Sequence, residues 1–231
     1  MKEEQSMRKG LTEVVFILDR SGSMGGLESD TIGGFNSLIN KQRKEEGEAL
    51  ISVVLFDDVT EVLYDRVEVQ KVETMTDKQY YARGCTALLD AVGGAVKHIS
   101  RVHKYIREED RPEKTLFVIT TDGMENASRK YSYQKVKELI RKREKDGWEF
   151  LFLGANIDAA AEAGKMGIRA GRALNYHADS AGTAANFAAV HETVRAYRAC
   201  ETVDAAAMDH IVEACCAPIV KDYARDRKRK K

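Results

Sequence analysis

Oxygen-bearing side chains are concentrated in three short segments of this 231-residue chain. The segments read DRSGS at 19–23, GCT at 84–86 and TTDG at 120–123. In the first segment the aspartate and the two serines occupy every second position, so their side chains can turn toward one point. Gly22 lets this loop bend tightly. Hard oxygen donors of this kind suit Mg²⁺, Mn²⁺ or Ca²⁺ and disfavour zinc and copper. We therefore predict one divalent metal site with ligands from Asp19, Ser21, Ser23, Thr86 and Asp122.

The predicted ligand set contains two carboxylates, and its other donors are neutral hydroxyls. A metal held in this way keeps positive charge and can accept one more anionic oxygen from outside the chain. The three segments offer no pair of residues suited to act as nucleophile and general base. These features favour binding over catalysis.

The elements that must position these segments alternate between strands and helices. Runs of β-branched and apolar residues, such as EVVFIL at 13–18 and TLFVIT at 115–120, indicate strands buried on both faces. We predict six strands, at 13–18, 49–56, 59–69, 115–120, 148–153 and 173–176. Apolar residues at helical spacing predict one helix that starts near Leu27. The same spacing predicts four more helices, at about 87–106, 133–145, 158–166 and 183–197.

The lengths of the connections predict the topology of the sheet. Helix-length connections require crossovers, so the sheet should be mostly parallel, with helices on both faces. The turn at Asp57 and Asp58 is short enough for a hairpin, which makes the third strand antiparallel to the second at one edge. The predicted fold is α/β and doubly wound, with a mostly parallel six-stranded sheet. Ligands in such sheets bind beyond the carboxyl ends of the strands, where all three oxygen-rich segments should lie.

In their order and separations, the three segments resemble the motifs of the von Willebrand factor A (VWA) domain family. DRSGS is similar to its first motif, the threonine of GCTALLDA at 84–91 to its second, and TTDG to its third. The resemblance covers about 13–197, and Cys85 stands where the family more often has glycine. It implies a Rossmann-like VWA fold that carries a metal-ion-dependent adhesion site.

The resemblance also implies a role for each ligand. Ser21 and Ser23 would bind the metal directly, and Thr86 would bind directly or through water. Asp19 and Asp122 would act mainly through water molecules. The open coordination position would take a carboxylate of a protein partner. The implied function is divalent-metal-dependent protein binding without catalysis, with magnesium as the first metal expected and manganese or calcium as alternatives.

A simpler interpretation is that these residues form caps and turns. Serine and aspartate favour helix starts, and Thr86 directly precedes a predicted helix. Neighbouring residues share this ambiguity. Asp57 follows the second strand and could support the site or only form a turn. Glu125 and Asn126 could rim the metal or cap a following helix, and Asp158 is expected to cap one.

Two other functions were weighed against metal-dependent binding. Asp19 could be the nucleophile of a magnesium-dependent phosphoryl-transfer enzyme, but such an enzyme needs a second carboxylate where Ser21 stands. The sequence contains no GxGxxG or GK[ST] phosphate loop after the first strand. The basic tail at 225–231 could contact nucleic acid, but the balance of 37 basic and 37 acidic residues argues against this.

Composition predicts an ordinary globular protein of the cytoplasm. The amino-terminal segment MKEEQSMRKG is charged and lacks the apolar core of a secretory signal. No apolar run reaches the length that a membrane span needs. The four cysteines have no zinc-like spacing, and we expect free thiols in a reducing compartment.

We divide the chain into an amino-terminal arm at 1–11, one VWA-like domain at 12–200 and a carboxyl-terminal segment at 201–231. Apolar residues in 205–216 predict a helix that stops near Pro218. This helix could pack on the domain or bind a partner, and we expect packing. The basic residues at the end predict a disordered, solvated tail. The sequence indicates neither the identity of the partner nor the oligomeric state.

Overall fold

The computed structural model of the protein describes residues 7–201 and 203–229. Its strands are β1 (Arg8–Asp19), β2 (Glu48–Phe56), β3 (Thr60–Glu68), β4 (Pro112–Thr121), β5 (Trp148–Ala155) and β6 (Ala173–Tyr176). Its α-helices are α1 (Glu28–Gln42), α2 (Leu88–Tyr105), α3 (Tyr133–Glu144), α4 (Ala159–Met166), α5 (Ser180–Ala199) and α6 (Ala205–Arg229).

The strands form one six-stranded sheet in the order β3-β2-β1-β4-β5-β6. β1 lies at the centre and pairs in parallel with both β2 and β4, and the parallel arrangement continues through β5 and β6. β3 alone in this sheet is antiparallel, because the turn after Phe56 is too short for a crossover. The predicted α/β fold with one antiparallel edge strand is confirmed.

Two layers of helices bury the sheet from both sides. Alternate residues of β1 face opposite layers: Val14 and Phe16 pack in the core beneath α1, α5 and α6, whereas Val15 and Ile17 pack in the core beneath α2, α3 and α4. A strand buried on both faces needs apolar residues at every position, which explains the continuous run in the sequence. The prediction of helices on both faces is confirmed.

The first strand begins earlier than its apolar run suggested. β1 starts at Arg8, whereas we predicted a start at Glu13. Its first residues are polar, and its pairing with β4 shifts register between Arg8 and Thr12, where Gly10 has a φ of 75°. An irregular polar strand end carries no hydrophobic pattern, so it could not be predicted from the sequence.

The last helix extends well beyond its predicted end. We expected it to stop near Pro218, but α6 passes through this proline to Arg229. Its apolar stripe continues past the predicted end, and this packing against α5 and β6 offsets the roughly 3 kcal/mol that an interior proline costs. The buried residues of the stripe are Met208, Val212, Cys216 and Ile219.

Packing of α6 on the domain is confirmed, and an ionic contact reinforces it. Arg172, which is 2% exposed, donates from Nε to Asp209 Oδ1 at 2.9 Å and from Nη2 to the Ala205 carbonyl at 3.0 Å. The expected disorder of the tail is wrong up to Arg229, because the backbone is helical to that residue, and the last two residues lie outside the described part of the chain.

Two further findings concern the cysteines and the helices of the described residues. None of the four cysteines forms a disulfide bond, and Cys85 is exposed whereas Cys216 is buried. Over the ranges 7–201 and 203–229, none of the helices has the combination of length and apolar character required to traverse a bilayer.

Candidate metal site

The three oxygen-rich segments meet at the carboxyl edge of the sheet, as the topology requires. Asp19 is the last residue of β1, and Asp122 directly follows its neighbour β4. The two strands are in register here, with Leu18 opposite Thr120. A hydrogen bond from Thr121 Oγ1 to Asp19 Oδ2, 2.5 Å long, ties the two strand ends together.

The first segment folds back on its own aspartate. The backbone N–H of Ser21 donates to Asp19 Oδ1 at 2.7 Å, and a short 3-10 turn at Gly22–Met24 follows. This turn brings the hydroxyls of Ser21 and Ser23 to 2.9 Å from each other. The two serines predicted as direct metal ligands are therefore adjacent, one buried and one exposed.

Thr86 is brought to the same place by contacts on both sides of it. Its N–H donates to Asn126 Oδ1 at 2.9 Å, and its carbonyl accepts from the Asn126 N–H at 3.1 Å. Two residues earlier, the Gly84 carbonyl accepts from the Gly22 N–H at 3.0 Å. The second segment is thus joined to both of the others.

Gly123 shows how closely the hydroxyls converge. A Cβ added to this glycine would lie 3.1 Å from Thr86 Oγ1 and 3.3 Å from Ser23 Oγ. The hydroxyls of the first and second segments therefore converge on the α-carbon that follows Asp122. All three segments contribute oxygens to one small region.

No ion pair is formed by either carboxylate of this region, Asp19 or Asp122, within the described residues. Burial raises the pKa of Asp19 even though Thr121 and Ser21 donate hydrogen bonds to it. Burial also raises the pKa of Asp122, with a further contribution from the Asp19 charge. The Oδ1 atom of Asp122 is buried without a hydrogen-bond partner in the described chain. Buried polar atoms are nearly always satisfied, so a cation at this position fits the residues present.

Capping does not explain these side chains. Ser21 stands at the start of the 3-10 turn and Ala87 at the start of α2, and neither terminus has a side-chain cap hydrogen bond. Caps do occur elsewhere in the fold, where Ser132, Asp158 and Asp179 each accept a backbone N–H. The expected capping role of Asp158 is confirmed.

Asp57 combines the two roles that the sequence left open. It forms the turn after β2 by accepting the Val59 N–H at 2.9 Å. It also accepts from the Nε atoms of Arg20 at 2.8 Å and Arg83 at 2.7 Å. Burial acts to raise the pKa of Asp57, but the hydrogen bonds, that of Arg83 first, hold it below its ordinary value. Asp57 therefore anchors the loops on either side of the candidate site.

Glu125 and Asn126 also have structural contacts. Glu125 accepts the Leu89 N–H at 2.9 Å and the Ser128 N–H at 2.8 Å, which braces the first turn of α2 against the third segment. Asn126 holds Thr86, as described above. Both residues therefore stabilise the oxygen-rich loops through hydrogen bonds.

Three supporting residues were missed by sequence reasoning. Thr121 and Arg20 lie inside the motifs, so their position was a usable signal. Tyr80 gave none: it lies in an irregular loop, is fully buried, and donates from its hydroxyl to the Asp19 carbonyl. Burial, helped by the nearby charge of Asp19, raises its pKa well above the ordinary value.

The donor set differs from that of a site built on charged or imidazole ligands. Within the described residues, no group of three or more His, Cys, Asp or Glu side chains is arranged to hold a metal ion. A metal centre at the carboxyl edge would therefore depend on the hydroxyls of Ser21, Ser23 and Thr86 as well as on two carboxylates.

No family model matches the sequence. A search of curated proteins likewise finds no match. Solved structures do match. The vWF domain of the type V pili tip protein Mfa5 from Porphyromonas gingivalis is 12% identical with a TM-score of 0.57, and the match covers 84% of this chain and 98% of that one.

Two further structures were solved with metal. The mussel byssus protein PTMP1, with a zinc-occupied MIDAS (metal-ion-dependent adhesion site) motif, is 15% identical with a TM-score of 0.56. That match covers 81% of this chain and 46% of PTMP1, so this chain spans about half the length of that protein. The manganese-loaded Plasmodium vivax TRAP protein is 18% identical with a TM-score of 0.52, covering 76% of this chain and 71% of that one.

The zinc in the MIDAS motif of PTMP1 is a metal that we expected the hard oxygen donors of this chain to disfavour. At the identities found here, the comparisons establish the fold. This chain has the fold of the von Willebrand factor A domain.

Proposed function

We infer that this chain is a divalent-metal-dependent protein-binding module. The metal would be held at the carboxyl edge of the sheet, and its open position would accept an acidic side chain of a protein partner. Magnesium is the first candidate, and manganese, calcium and zinc are alternatives. The ligands in this proposal are Asp19, Ser21, Ser23, Thr86 and Asp122.

One observation carries the proposal. The buried Asp122 Oδ1 has no partner among the described residues, and it follows a strand end where three loops bring hydroxyls together. Leaving a buried carboxylate oxygen unsatisfied costs about 1–3 kcal/mol or more. A cation bound there would remove that cost, which supports an ion at this position.

The chain's own residues would orient the ligands and leave the partner's position open. Ser21 and Ser23 present their hydroxyls from one tight turn, and Asn126 fixes the Thr86 loop through two hydrogen bonds. When bound, the metal supplies the positive charge that attracts the partner's carboxylate. Ser23 is exposed and Ser21 is buried, so the site opens on the side of Ser23.

The alternative of phosphoryl transfer has less support. A nucleophilic Asp19 would need a free carboxylate oxygen facing the substrate. Its Oδ1 accepts the Ser21 N–H and its Oδ2 accepts the Thr121 hydroxyl, and the residue is 2% exposed. Both oxygens are engaged in holding the loops, which suits a structural carboxylate. No catalytic role forms part of the proposal.

Calorimetric titration of Mg²⁺, Mn²⁺, Ca²⁺ and Zn²⁺ into metal-stripped protein tests the site. We expect saturable one-site binding that is lost in a Ser21→Ala/Ser23→Ala variant. The matched control is Ser29→Ala/Ser37→Ala, which removes two exposed hydroxyls of α1 and should leave the affinity unchanged. The titrations are repeated with excess acetate, which supplies the carboxylate that a partner would bring.

The outcome with acetate decides between two explanations of a weak signal. Binding that strengthens with acetate in the wild type, but not in the Ser21→Ala/Ser23→Ala variant, supports a metal that recruits a carboxylate. If no ion binds with or without acetate, or if both double variants bind alike, the proposal is wrong. The cytoplasm remains the expected compartment, and four cysteines without a disulfide bond fit it.

A further inference from the structure

A cavity lies at the amino edge of the sheet, opposite the candidate metal site. Its volume is about 400 Å³, which is within the range of small-molecule sites. The first residues of β4 and β5 line it, together with the last turn of α2 and the end of α3. This cavity shares no residue with the metal-binding loops, so the two can be tested separately.

Two cations in this cavity have no counter-ion in the described part of the chain. The Nε atom of Arg111 is buried and has no hydrogen-bond partner among residues 7–201 and 203–229. Lys104, at the end of α2, places its Nζ 5.3 Å from the centre of the Tyr105 ring, and no carboxylate of the described chain pairs with it. A buried guanidinium nitrogen without an acceptor is costly, so its presence in a cavity needs an explanation.

The other charged groups of the cavity are already engaged. His103 Nε2 lies 2.5 Å from Glu13 Oε2, and Arg143 pairs with Asp146 at 3.1 Å. Glu113 lines the cavity as well, and its Oε2 accepts the Gly10 N–H at 2.8 Å. With Lys104 and Arg111 set against Glu113, the cavity keeps an excess of one positive charge.

We propose that this cavity binds the phosphate group of a small phosphorylated molecule through Arg111 and Lys104. A guanidinium matches a phosphate with two parallel hydrogen bonds, and an ammonium adds a compact charge beside it. The remaining volume exceeds that of a phosphate group, and Trp148 forms part of the wall against which an organic substituent would pack.

Two glutamates, Glu3 and Glu4, precede Met7, which lines the cavity, by a few residues and lie outside the described part of the chain. A carboxylate of either residue would compete with phosphate for these cations. A test of phosphate binding must therefore be made with and without these two glutamates.

Inorganic phosphate is the probe, titrated into metal-stripped full-length protein at low ionic strength and followed by calorimetry and ³¹P NMR. Removing metal prevents phosphate from binding through an ion at the other edge of the sheet. The wild type is compared with Arg111→Gln and with Lys104→Gln, whose exposed side chain can change without loss of folding. Arg101→Gln, an exposed cation on the same helix, is the matched control. A Glu3→Gln/Glu4→Gln background removes the internal competitor.

We expect saturable phosphate binding that weakens about tenfold or more in Arg111→Gln and in Lys104→Gln, since hydrogen bonds to charged groups are the strong ones. Arg101→Gln should bind like the wild type. Binding seen only in the Glu3→Gln/Glu4→Gln background would support the site and identify the glutamates as its competitor. Absence of binding in both backgrounds, or equal weakening by Arg101→Gln, would overturn the proposal.

Discussion

Asn126 and Thr86 are held together by two hydrogen bonds that run in opposite directions. The Thr86 N–H donates to Asn126 Oδ1 at 2.9 Å, and the Asn126 N–H donates to the Thr86 carbonyl at 3.1 Å. The pair connects the second oxygen-rich segment to the third without using the Thr86 hydroxyl. Asn126 thus acts as a positioning residue, since it fixes a proposed ligand and leaves the ligand atom free.

Replacing Asn126 by alanine should therefore weaken metal binding with little unfolding. The variant loses the side-chain bond to Thr86, which is worth about 1 kcal/mol or roughly a fivefold rise in the metal dissociation constant. Calorimetry gives the dissociation constant, and urea denaturation of metal-free protein gives the stability.

A matched control exists elsewhere in the fold. Asn36 makes an equivalent reciprocal pair with Met75, with both distances at 2.9 Å, at the loop beside α1. Asn36→Ala should lower the unfolding free energy and leave the metal dissociation constant unchanged. An equal effect of both substitutions on metal affinity would show that Asn126 acts only through overall stability.

Gly123 should be intolerant of a side chain for reasons of space. An alanine Cβ would lie 3.1 Å from Thr86 Oγ1 and 3.3 Å from Ser23 Oγ, so both hydroxyls would have to move. Since a shift of proposed ligands changes the coordination geometry, we expect Gly123→Ala to weaken metal binding by about tenfold or more.

The control for Gly123 is another glycine with open space around it. Gly94 lies within α2, and a Cβ added there meets nothing within 4 Å. Gly94→Ala should stabilise the protein by up to about 1 kcal/mol, because alanine is the better helix former. Unchanged metal affinity in Gly123→Ala would mean that the hydroxyls do not bind the ion.

The sequence predicted the sheet well because burial on both faces leaves a continuous apolar run. The runs at 13–18 and 115–120 place the strands, and the short turn at Asp57 sets the antiparallel edge. The end of α6 could not be predicted, because proline argues for a stop and only tertiary packing overrides it.

The candidate site also has residues that could be predicted from the sequence and residues that could not. Its five proposed ligands lie in motifs and could be predicted from residue type and order. Two of the supports could not: Tyr80 reaches Asp19 across 61 positions of sequence, and Arg83 reaches Asp57 across 26. Contacts of this kind depend on how loops pack over one another, which no local pattern encodes.

Asp90 should make the stability of the protein depend on acid pH. Its carboxylate accepts the backbone N–H groups of Arg129 at 3.0 Å and of Lys130 and Tyr131 at 2.8 Å. Burial acts to raise the pKa of Asp90, but these bonds hold it below its ordinary value of 3.8. Its contribution to stability is therefore present above the pKa of the unfolded chain and is lost as the pH falls through the folded pKa.

Asp90→Asn tests this dependence. Urea denaturation from pH 7 to pH 2 should give a variant that is less stable at neutral pH by about 1–3 kcal/mol, with a shallower loss of stability below about pH 4. Asp77→Asn, at an exposed position, should reproduce the wild-type curve. Parallel curves for Asp90→Asn and the wild type would contradict the assignment.

The carboxyl-terminal helix should behave as part of the folded unit rather than as an appendage. Met208 of α6 is fully buried, whereas Val220 on the same helix is 47% exposed. Met208→Ala should lower the unfolding free energy by about 2–5 kcal/mol, because it removes buried methylene groups and leaves a cavity. Val220→Ala should change it by no more than about 0.5 kcal/mol. Both are measured by urea denaturation monitored at Trp148, which lies in the other core of the sheet.

A single transition that shifts with Met208→Ala would show that α6 unfolds together with the sheet. An unshifted transition would place the helix outside the cooperative unit, and the predicted boundary near 200 would then also be a boundary of stability.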